Sequence, residues 1–402
     1  MKNYNPSGGV ILLIVQKYGG TSVADKKCVM NAANRVADAY KEGNSVVVVV
    51  SAQGNTTDEL IKYAADINDN ASRREMDMLL STGEQQSASL MAIALNSIGI
   101  PAISLNAWQM GIVTTDNYSN ARIEAIAAER ILKEIADGKV VVAAGFQGIN
   151  SLGDITTLGR GGSDTTAVAL AIALKADKCE IYTDVEGVFT ADPRIVPEAE
   201  KLKQISYDEM LDYTSMGAKV LHNRSVEMAK KHEMPIAVRS SFEKCEGTVV
   251  CGEKSDRIVS GIALDKNIVL ITVKDLNGIK EASGIFKAIG QKSICIDTIM
   301  SSAGGTGNIM FSICAKDLDA AKRALEKNYD GTFDINEEYS KISVIGIGLE
   351  TNPGIAAVIF ETLEEENIDV KLITTSEIKI SLLVEKDCAD NVVKILHNKF
   401  IG

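Results

Sequence analysis

The sequence predicts an α/β protein in which a mostly parallel sheet, with helices on both faces, is followed by two smaller ferredoxin-like units. Up to about residue 262, β-branched runs such as VVVVV at 46–50 alternate with helical patterns, which is typical of a parallel sheet. After about residue 266, two stretches of β-α-β-β-α order follow each other, and Phe286 of the first aligns with Phe360 of the second. The predicted domains are 1–265, 266–339 and 340–402.

The strands of the large domain are predicted at its apolar runs, and the helices at the longer periodic stretches between them. The strand runs are VILLIV at 10–15, VVVVV at 46–50, VVVAAG at 140–145, KCEIYTD at 178–184 and PIAVRS at 235–240. The main helical stretches are 29–43, 75–99 and 167–176. In the repeats, strands are predicted at 268–275, 294–302, 308–317, 342–350, 368–376 and 378–387, and helices through 285–291, 318–328, 359–367 and 390–400.

The composition argues against several classes of protein. The net charge of −12 leaves no basic excess with which to bind nucleic acid. Seven cysteines without a CxxC pair, and three histidines in all, argue against a zinc site and fit free thiols in a reducing cytoplasm. The run VILLIV is far shorter than the ~20 residues of a membrane span, so no membrane association is expected.

Three glycine-bearing segments carry the strongest functional signal. They are KYGGTSV at 17–23, TLGRGGSDTTA at 157–167 and YTDVEGVFTADPR at 182–194. Each follows, or nearly follows, a strand-like run, and ligands of parallel sheets bind beyond the carboxyl ends of the strands. Lys17 and Arg160 lie beside the glycines, so positive charge and backbone N–H groups are available to phosphates.

The second segment matches neither common phosphate-binding fingerprint. No Gly-Lys-Ser/Thr follows its glycines, as a Walker loop requires, and the third glycine of the dinucleotide motif is missing. Ser163 or Asp164 is predicted to cap the helix that follows, whose first N–H groups would face an anion. Alone, this segment is equally compatible with a plain helix-capping loop; together the three segments indicate phosphate binding.

The order, spacing and residues of the three segments resemble those of aspartate kinases, members of the amino acid kinase family. The resemblance extends over almost the whole chain. The resemblance implies a three-layer sandwich for the large domain and tandem ACT domains for the two repeats. It also implies ATP-dependent phosphorylation of the aspartate side chain to 4-phospho-L-aspartate, the first step towards lysine, threonine and methionine. Mg²⁺ would be held mainly through the nucleotide phosphates, with no metal ligand assigned to the protein.

The resemblance implies a role for each matching residue. Lys17 would contact the transferred phosphoryl group, and Asp164 would organise Lys17 and the metal-phosphate cluster. Glu84 would hold the substrate ammonium and Arg160 a substrate carboxylate. The substrate-binding set is Ser51, Glu84, Arg160, Gly161 and Ser163. The nucleotide-binding set is Lys17, Gly19, Gly20, Thr21, Ser22, Thr183, Asp184, Phe189, Arg194 and Lys219.

Each of these side chains also has a purely structural interpretation. Lys17 and Lys219 would then be solvated lysines, and Glu84 a solvated helical glutamate. Arg160 would be structural, and Phe189 would pack in a turn.

The side-chain carboxylate of the aspartate substrate has a reference pKa near 3.9 and is ionised at neutral pH, so the implied reaction needs charge neutralisation rather than a general base. Because water hydrolyses an acyl phosphate, a closing site is expected.

The second repeat contains a candidate effector site. Its turn LETNPGIAAVIF offers N–H groups at Asn352, Gly354 and Ile355 ahead of a helix, where an amino acid carboxylate could dock. The strand LITTSE brings Thr375 and Ser376, although a plain turn and strand would look the same. Under the resemblance, lysine is the first candidate effector and threonine the second, and paired repeats would make the protein a homodimer or homotetramer.

Two other functions stay open. One is a related kinase acting on another carboxylate, such as acetylglutamate, although such relatives usually lack two ACT-like repeats. The other is an inactive sensor of amino acid and nucleotide, against which the intact Lys17, Arg160 and Asp164 argue. The first repeat has Ile279 and Lys280 where the second has its Pro-Gly turn, so effector binding by the first repeat is also open.

Overall fold

The structure is a computed structural model that describes residues 11–215, 220–253, 257–292, 294–301, 307–349, 352 and 354–402. The chain divides into two compact units. The first contains the described residues of Met1–Val188, Lys201–Thr214 and Lys219–Lys254, and the second those of Phe189–Glu200, Ser215–Ala218 and Ser255–Gly402. Among the described residues, no helix is both long and apolar enough to cross a bilayer.

The chain up to residue 253 forms the strands and helices that build the first unit. Its strands are β1 (Leu13–Tyr18), β2 (Ser45–Val50), β3 (Ala102–Leu105), β4 (Ile112–Thr114), β5 (Ile123–Ile126), β6 (Val140–Ala144), β7 (Gln147–Ile149), β8 (Ile155–Thr157), β9 (Lys178–Thr183), β10 (Gln204–Ser206), β11 (Ile236–Ser240) and β12 (Thr248–Cys251). Its helices are α1 (Lys26–Lys41), α2 (Thr56–Ile67), α3 (Arg73–Ser97), α4 (Glu129–Ala136), α5 (Gly162–Ala173), α6 (Tyr207–Ser215) and α7 (Asn223–Lys231).

Eight strands form the main sheet, in the order β10-β12-β11-β9-β1-β2-β6-β3. Every neighbouring pair is parallel except β11 and β12, which confirms the predicted mostly parallel sheet. The run Val46–Val50 is fully buried, as expected for a central strand covered on both faces. Lys17 on β1 is in register with Val49 on β2 and Ile181 on β9, so the carboxyl ends of these three strands lie side by side.

A second, smaller sheet of the first unit has the order β5-β4-β7-β8 and is mixed, since only β4 and β7 run parallel. Its strand β8 ends at Thr157, directly before the glycines of the second segment. The sequence placed all three glycine segments at strand ends of the parallel sheet. For the second segment that expectation was wrong, because the strand it follows belongs to the smaller sheet.

The second unit contains two four-stranded antiparallel sheets, as the ferredoxin-like prediction required. Their orders are β15-β16-β14-β17 and β13-β18-β20-β19. The strands are β13 (Gly261–Asp265), β14 (Ile268–Leu276), β15 (Ile296–Ser301), β16 (Gly307–Cys314), β17 (Phe333–Asn336), β18 (Tyr339–Ile345), β19 (Leu372–Thr375) and β20 (Lys379–Glu385). The helices are α8 (Ile279–Gln291), α9 (Leu318–Asn328), α10 (Gly354–Glu365) and α11 (Lys386–Phe400).

The sheet of the second repeat is completed by a strand from outside it. β13 precedes the first repeat, yet it pairs with β18 from Gly261↔Ile345 to Asp265↔Lys341. The domain boundaries after residues 265 and 339 stay predictions, and this pairing bears on the first of them. A strand on the large-domain side of that boundary belongs to the sheet of the second repeat.

Candidate active site

The first glycine segment begins on the central strand of the main sheet. Lys17 is the penultimate residue of β1, and its side chain is only 11% exposed. The N–H of Gly19 donates to the carbonyl oxygen of Tyr182 at 3.3 Å, which joins this segment to the end of β9, where the third segment starts. A Cβ on Gly19 would lie 3.5 Å from Nζ of Lys17. A side chain at this position would therefore touch the ammonium group of Lys17. With glycine there, no side chain covers the ammonium or the backbone beside it.

The loop that follows β2 packs onto the first segment. The N–H of Ser51 donates to Tyr18 O at 3.1 Å, and the N–H of Gly54 donates to Gly20 O at 3.0 Å. A Cβ on Gly20 would lie 2.8 Å from Ala52 O, closer than real Cβ atoms approach. Only glycine at this position lets the two loops meet. The predicted neighbours Thr21 and Ser22 form a short 3₁₀ turn, with Thr21 exposed and Ser22 buried.

Glu84 lies on α3 and points its carboxylate at the same loop. Its Oε1 accepts a hydrogen bond of 3.0 Å from the N–H of Ala52. Gly83 allows this approach, because a Cβ there would lie 2.7 Å from Cβ of Ala52. Oε2 is buried and has no hydrogen-bond partner among the described residues. Burial raises the pKa of Glu84 to about 7, while the Ala52 N–H and Lys17 act in the opposite direction.

Lys17 and Asp164 form a buried ion pair that joins the first and second glycine segments. Nζ of Lys17 lies 2.6 Å from Oδ1 of Asp164, and each side chain is only 11% exposed. Asp164 lies in the first turn of α5. Two charges so far removed from water are stable only when paired, so each fixes the position of the other. The solvated interpretation of Lys17 is therefore wrong.

The glycine turn before α5 depends on backbone conformations that favour glycine. Gly159 has φ = 77° and Gly161 has φ = 70°. The N-cap residue of α5 is Gly161, so the expectation that Ser163 or Asp164 caps the helix was wrong. Both side chains instead lie inside the first turn, where they are buried. The left-handed conformation of Gly161 turns the chain sharply enough to place Asp164 beside Lys17.

His222 covers this turn, a contact that the sequence did not suggest. A Cβ on Gly161 would lie 2.2 Å from the imidazole ring of His222. Burial lowers the pKa of His222, with Asp164 opposing and Arg224 and Arg160 adding to the lowering. Burial thus favours the neutral form of the ring, which packs directly on the glycine turn.

Asp77 is a second residue that the sequence missed. It is fully buried on α3 and accepts four hydrogen bonds, two from Ser119 and two from Thr157, at 2.8–3.0 Å. Because Thr157 opens the second glycine segment, the carboxylate fixes the start of that segment. The available signal was an aspartate on the apolar side of a helical pattern.

Arg160 stands apart from the buried pair. It is exposed at the tip of the glycine turn, and within the described part of the chain it makes no hydrogen bond or ion pair. An unpaired guanidinium beside a glycine turn is available to a carboxylate as a two-pronged donor. The structural interpretation of Arg160 thus has no contact to support it.

The third glycine segment is divided between the two units. Thr183 and Asp184 lie in the first unit, where Oγ1 of Thr183 donates to Oδ1 of Asp184 at 3.0 Å. Phe189 and Arg194 belong to the second unit. Phe189 is half-buried, and the 89% exposed side chain of Arg194 pairs with Asp192 at 2.6 Å. Lys219, the remaining predicted nucleotide ligand, lies outside the described residues.

Comparison with known proteins identifies the family. Residues 13–240 match the amino acid kinase family and residues 342–400 match an ACT domain. An aspartokinase of Bacillus sp. (strain MGA3) is 50% identical over 399 residues, which cover 96% of this chain and 97% of that protein. The chain belongs to the aspartokinase family. It is therefore an enzyme that phosphorylates aspartate with ATP, as predicted, and neither the acetylglutamate-type kinase nor the inactive sensor receives support.

Two solved aspartokinase structures are similar to the whole chain. E. coli aspartokinase III in complex with aspartate and ADP, in its R-state, has a TM-score of 0.82 at 25% identity. The same enzyme in complex with lysine and aspartate, in its T-state, has a TM-score of 0.81 at 26% identity. In both cases the match covers 97% of this chain and 100% of the other.

The candidate effector site of this aspartokinase lies in the second repeat. Asn352, Thr375 and Ser376 line one cavity of about 470 Å³, together with Leu349, Ala356, Glu377 and Ile380. The expectation of free amides was partly wrong. The N–H of Asn352 donates to Leu349 O at 3.4 Å, and that of Ile355 donates to Asn352 O at 3.1 Å. Gly354, the first residue of α10, is exposed.

Proposed function

We propose that Lys17 and Asp164 form the catalytic centre of aspartate phosphorylation. The observation that carries this proposal is their buried ion pair, which places a fixed ammonium where two glycine segments meet. The reaction brings two anions together, the substrate carboxylate and the terminal phosphate of ATP. A preorganised cation stabilises the charge that develops between them. Asp164 has no proton to remove, because the attacking carboxylate is already ionised; its role is to hold Lys17 in place.

We propose that Glu84 binds the ammonium group of aspartate. Its Oε2 is buried and unpartnered, so the free enzyme carries an unsatisfied acceptor that a cationic group would complete. A glutamine in place of Glu84 would offer only a neutral amide, which binds an ammonium group less strongly than a carboxylate does. Arg160 is exposed and unpaired within the described chain, and it supplies the complementary grip on a substrate carboxylate. Ser51, Gly161 and Ser163 complete the proposed substrate-binding set.

The nucleotide is proposed to bind along the first and third glycine segments, through Gly19, Gly20, Thr21, Ser22, Thr183, Asp184, Phe189, Arg194 and Lys219. The complex of E. coli aspartokinase III with aspartate and ADP supports a nucleotide in this fold. Carboxylate oxygens are ligands that Mg²⁺ prefers, and Asp164 offers them beside the proposed phosphate site. Mg²⁺ would neutralise phosphate charge there, held mainly by the nucleotide itself.

Regulation is proposed to act through the cavity of the second repeat. Hydroxyl groups of Thr375 and Ser376 and the amide of Asn352 suit the polar ends of an amino acid. Glu377 adds a carboxylate to the lining, which favours a cationic effector such as lysine over threonine. The lysine complex of E. coli aspartokinase III supports this choice. We also propose that the protein assembles into a homodimer or homotetramer through the repeats and that it acts in the cytoplasm.

The experiment that tests this function is acyl phosphate formation, trapped as the hydroxamate, with ATP and Mg²⁺. Aspartate should be turned over, and N-acetylglutamate should not. Parallel reactions with lysine, threonine and both together test regulation separately from catalysis. If N-acetylglutamate gives the product and aspartate does not, the substrate assignment is wrong. Aspartate turnover that no effector changes would overturn only the regulatory assignment.

A further inference from the structure

The segment Phe189–Glu200 belongs to the second unit, and Thr190 makes the hydrogen bonds that hold its two ends together. Thr190 is fully buried. Its carbonyl oxygen accepts from the N–H of Ile262 on β13 at 2.7 Å, and its N–H donates to Glu200 O at 2.9 Å. Its Oγ1 accepts from the N–H of Glu200 at 3.0 Å. The backbone and side chain of Thr190 thus fix both ends of the segment.

The hydroxyl of Thr190 has one more partner, His397 on α11. Oγ1 of Thr190 lies 2.9 Å from Nε2 of His397, and the imidazole is 2% exposed. Around this bond the segment packs on the same helix, because Ala191 and Val196 share an apolar cluster with Leu396. The C-terminal helix therefore holds the segment by a buried hydrogen bond inside an apolar contact.

The surroundings of His397 favour its neutral form. Nδ1 is buried and has no hydrogen-bond partner among the described residues. The charged ring carries a proton on both nitrogens, so it necessarily has an N–H donor at Nδ1 that no described residue accepts, and it cannot accept a hydrogen bond from Thr190 at Nε2. Burial lowers the pKa of His397. Glu198 and Glu200 of the segment oppose that shift, and Arg257, which pairs with Glu200 at 2.6 Å, adds to it. On its own helix, His397 is accompanied by Asp390, Lys394 and Lys399.

We propose that His397 is a positioning residue for the nucleotide. Its hydrogen bond to Thr190 fixes the chain that carries Phe189 and Arg194, the proposed nucleotide contacts of the third glycine segment. This inference rests on the proposed function of Phe189 and Arg194. His397 does not touch the substrate itself. It acts by setting the course of the backbone on either side of Thr190, so its loss should weaken ATP binding and leave the chemical step intact.

The test compares two substitutions of His397 with a matched control. His397→Leu removes the ring nitrogens, whereas His397→Gln keeps a polar group at the distance of Nε2. We expect the KM for ATP to rise about 3- to 10-fold in the leucine variant, the effect of losing one neutral hydrogen bond. The KM for aspartate and kcat should change less than about twofold. The glutamine variant should lie near wild type, as should His232→Gln, which alters an exposed histidine of the first unit.

Hydrogen–deuterium exchange gives a readout that does not depend on the nucleotide. In His397→Leu, exchange should increase across residues 189–200 while α11 and β18 keep their protection. If that variant does not fold, Thr190→Val removes the same hydrogen bond from the other side, and Thr190→Ser should restore it. The pH profile is a further readout. Below about pH 6.5 the KM for ATP should rise more in wild type than in His397→Gln, because only wild type can protonate at this position.

Arg194→Ala separates the two ways in which the inference can fail. If Arg194→Ala raises the KM for ATP but neither His397→Leu nor Thr190→Val does so, the positioning role is wrong and the nucleotide assignment stands. If Arg194→Ala and Phe189→Ala both leave that KM unchanged, the nucleotide assignment is wrong, and the positioning role falls with it. Equal increases in the KM values for ATP and aspartate in His397→Leu would show general disruption and overturn the proposal.

Discussion

The carboxylate of Glu84 accepts a 3.0 Å hydrogen bond from the backbone N–H of Ala52, which leaves its second oxygen buried without a partner in the described chain. One oxygen thus fixes the loop after β2, and the other is available to bind a cation. The arrangement is costly to the free enzyme, since a buried carboxylate without full compensation is destabilising. It is useful to a kinase of amino acids, because the substrate ammonium supplies the missing partner.

Glu84→Gln should therefore stabilise the free enzyme and impair substrate binding. The pKa of Glu84 rises from 4.5 to about 7 on folding, so stability from this group is present below pH 4.5 and is lost as the pH rises to about 7. At pH 8 the glutamine variant should be more stable by up to about 3 kcal/mol, measured by urea unfolding. The KM for aspartate should increase, and discrimination against succinate should weaken. A variant that is less stable at pH 8 would contradict the burial argument.

The same carboxylate makes aspartate binding dependent on pH. Binding of an ammonium favours ionised Glu84, so a proton is released when aspartate binds near pH 7. Between pH 6 and 8 the affinity of wild type for aspartate should increase, whereas that of Glu84→Gln should stay level. Titration calorimetry in two buffers of different ionisation enthalpy measures the released proton directly. Equal pH dependence in both proteins would exclude Glu84 as the ammonium partner.

Lys17→Ala should abolish most of the activity without unfolding the protein. Loss of one preorganised electrostatic contact lowers kcat by about 10²–10³-fold. Asp164 would remain buried without its cation, so some stability should also be lost, measurable as a lower midpoint of denaturation. Lys26→Ala, at the exposed start of α1, is the matched control and should retain wild-type kinetics. Near-normal turnover of Lys17→Ala would remove this residue from the catalytic centre.

Arg160→Ala should raise the KM for aspartate much more than the KM for ATP, because the exposed guanidinium is proposed to bind a substrate carboxylate. Stability should be unchanged, since Arg160 has no ion pair to lose within the described chain. Arg73→Ala, an exposed arginine at the start of α3, serves as the control for net charge. Similar increases in both KM values would indicate a structural role for Arg160 instead.

Gly161→Ala should disrupt the turn that positions Asp164. The residue has φ = 70°, and a Cβ would lie 2.2 Å from the ring of His222, so strain and steric conflict combine. We expect a loss of more than about 1 kcal/mol of stability, together with a fall in kcat/KM. Gly153→Ala separates the two causes, because Gly153 has φ = 81° but nothing within 4 Å of the added Cβ. If the two variants behave alike, the contact with His222 is unimportant.

Ser376→Ala and Thr375→Ile should desensitise the enzyme to its effector. Both side chains line the cavity of the second repeat, and the isoleucine would fill part of it. The effector concentration for half inhibition should rise about 5- to 150-fold, the range of typical allosteric coupling, while the rate without effector stays within about twofold. Thr332→Ala, an exposed threonine of the first repeat, is the control. Unchanged inhibition by both lysine and threonine would exclude this cavity.

Local pattern was sufficient for much of the fold. The β-branched run at 46–50 predicted a central strand because only a strand covered on both faces tolerates five consecutive valines, and that strand is fully buried. The repeated β-α-β-β-α order predicted the two antiparallel sheets. The glycine segments, through their resemblance, led to the family that the comparisons confirm. These features depend on neighbours in sequence, so periodicity and motif order contain them.

Tertiary structure alone decided which groups meet and at what electrostatic cost. The sequence predicted Ser163 or Asp164 as the cap of α5, but the N-cap residue is Gly161, in a left-handed conformation. Asp164 lies in the first turn instead and pairs with Lys17. The sequence also contained no sign that β13 completes the sheet of the second repeat, or that His397 reaches Thr190. Such contacts join residues far apart in the chain. Their strength depends on how much water the surrounding packing removes, and no local pattern of residues contains that information.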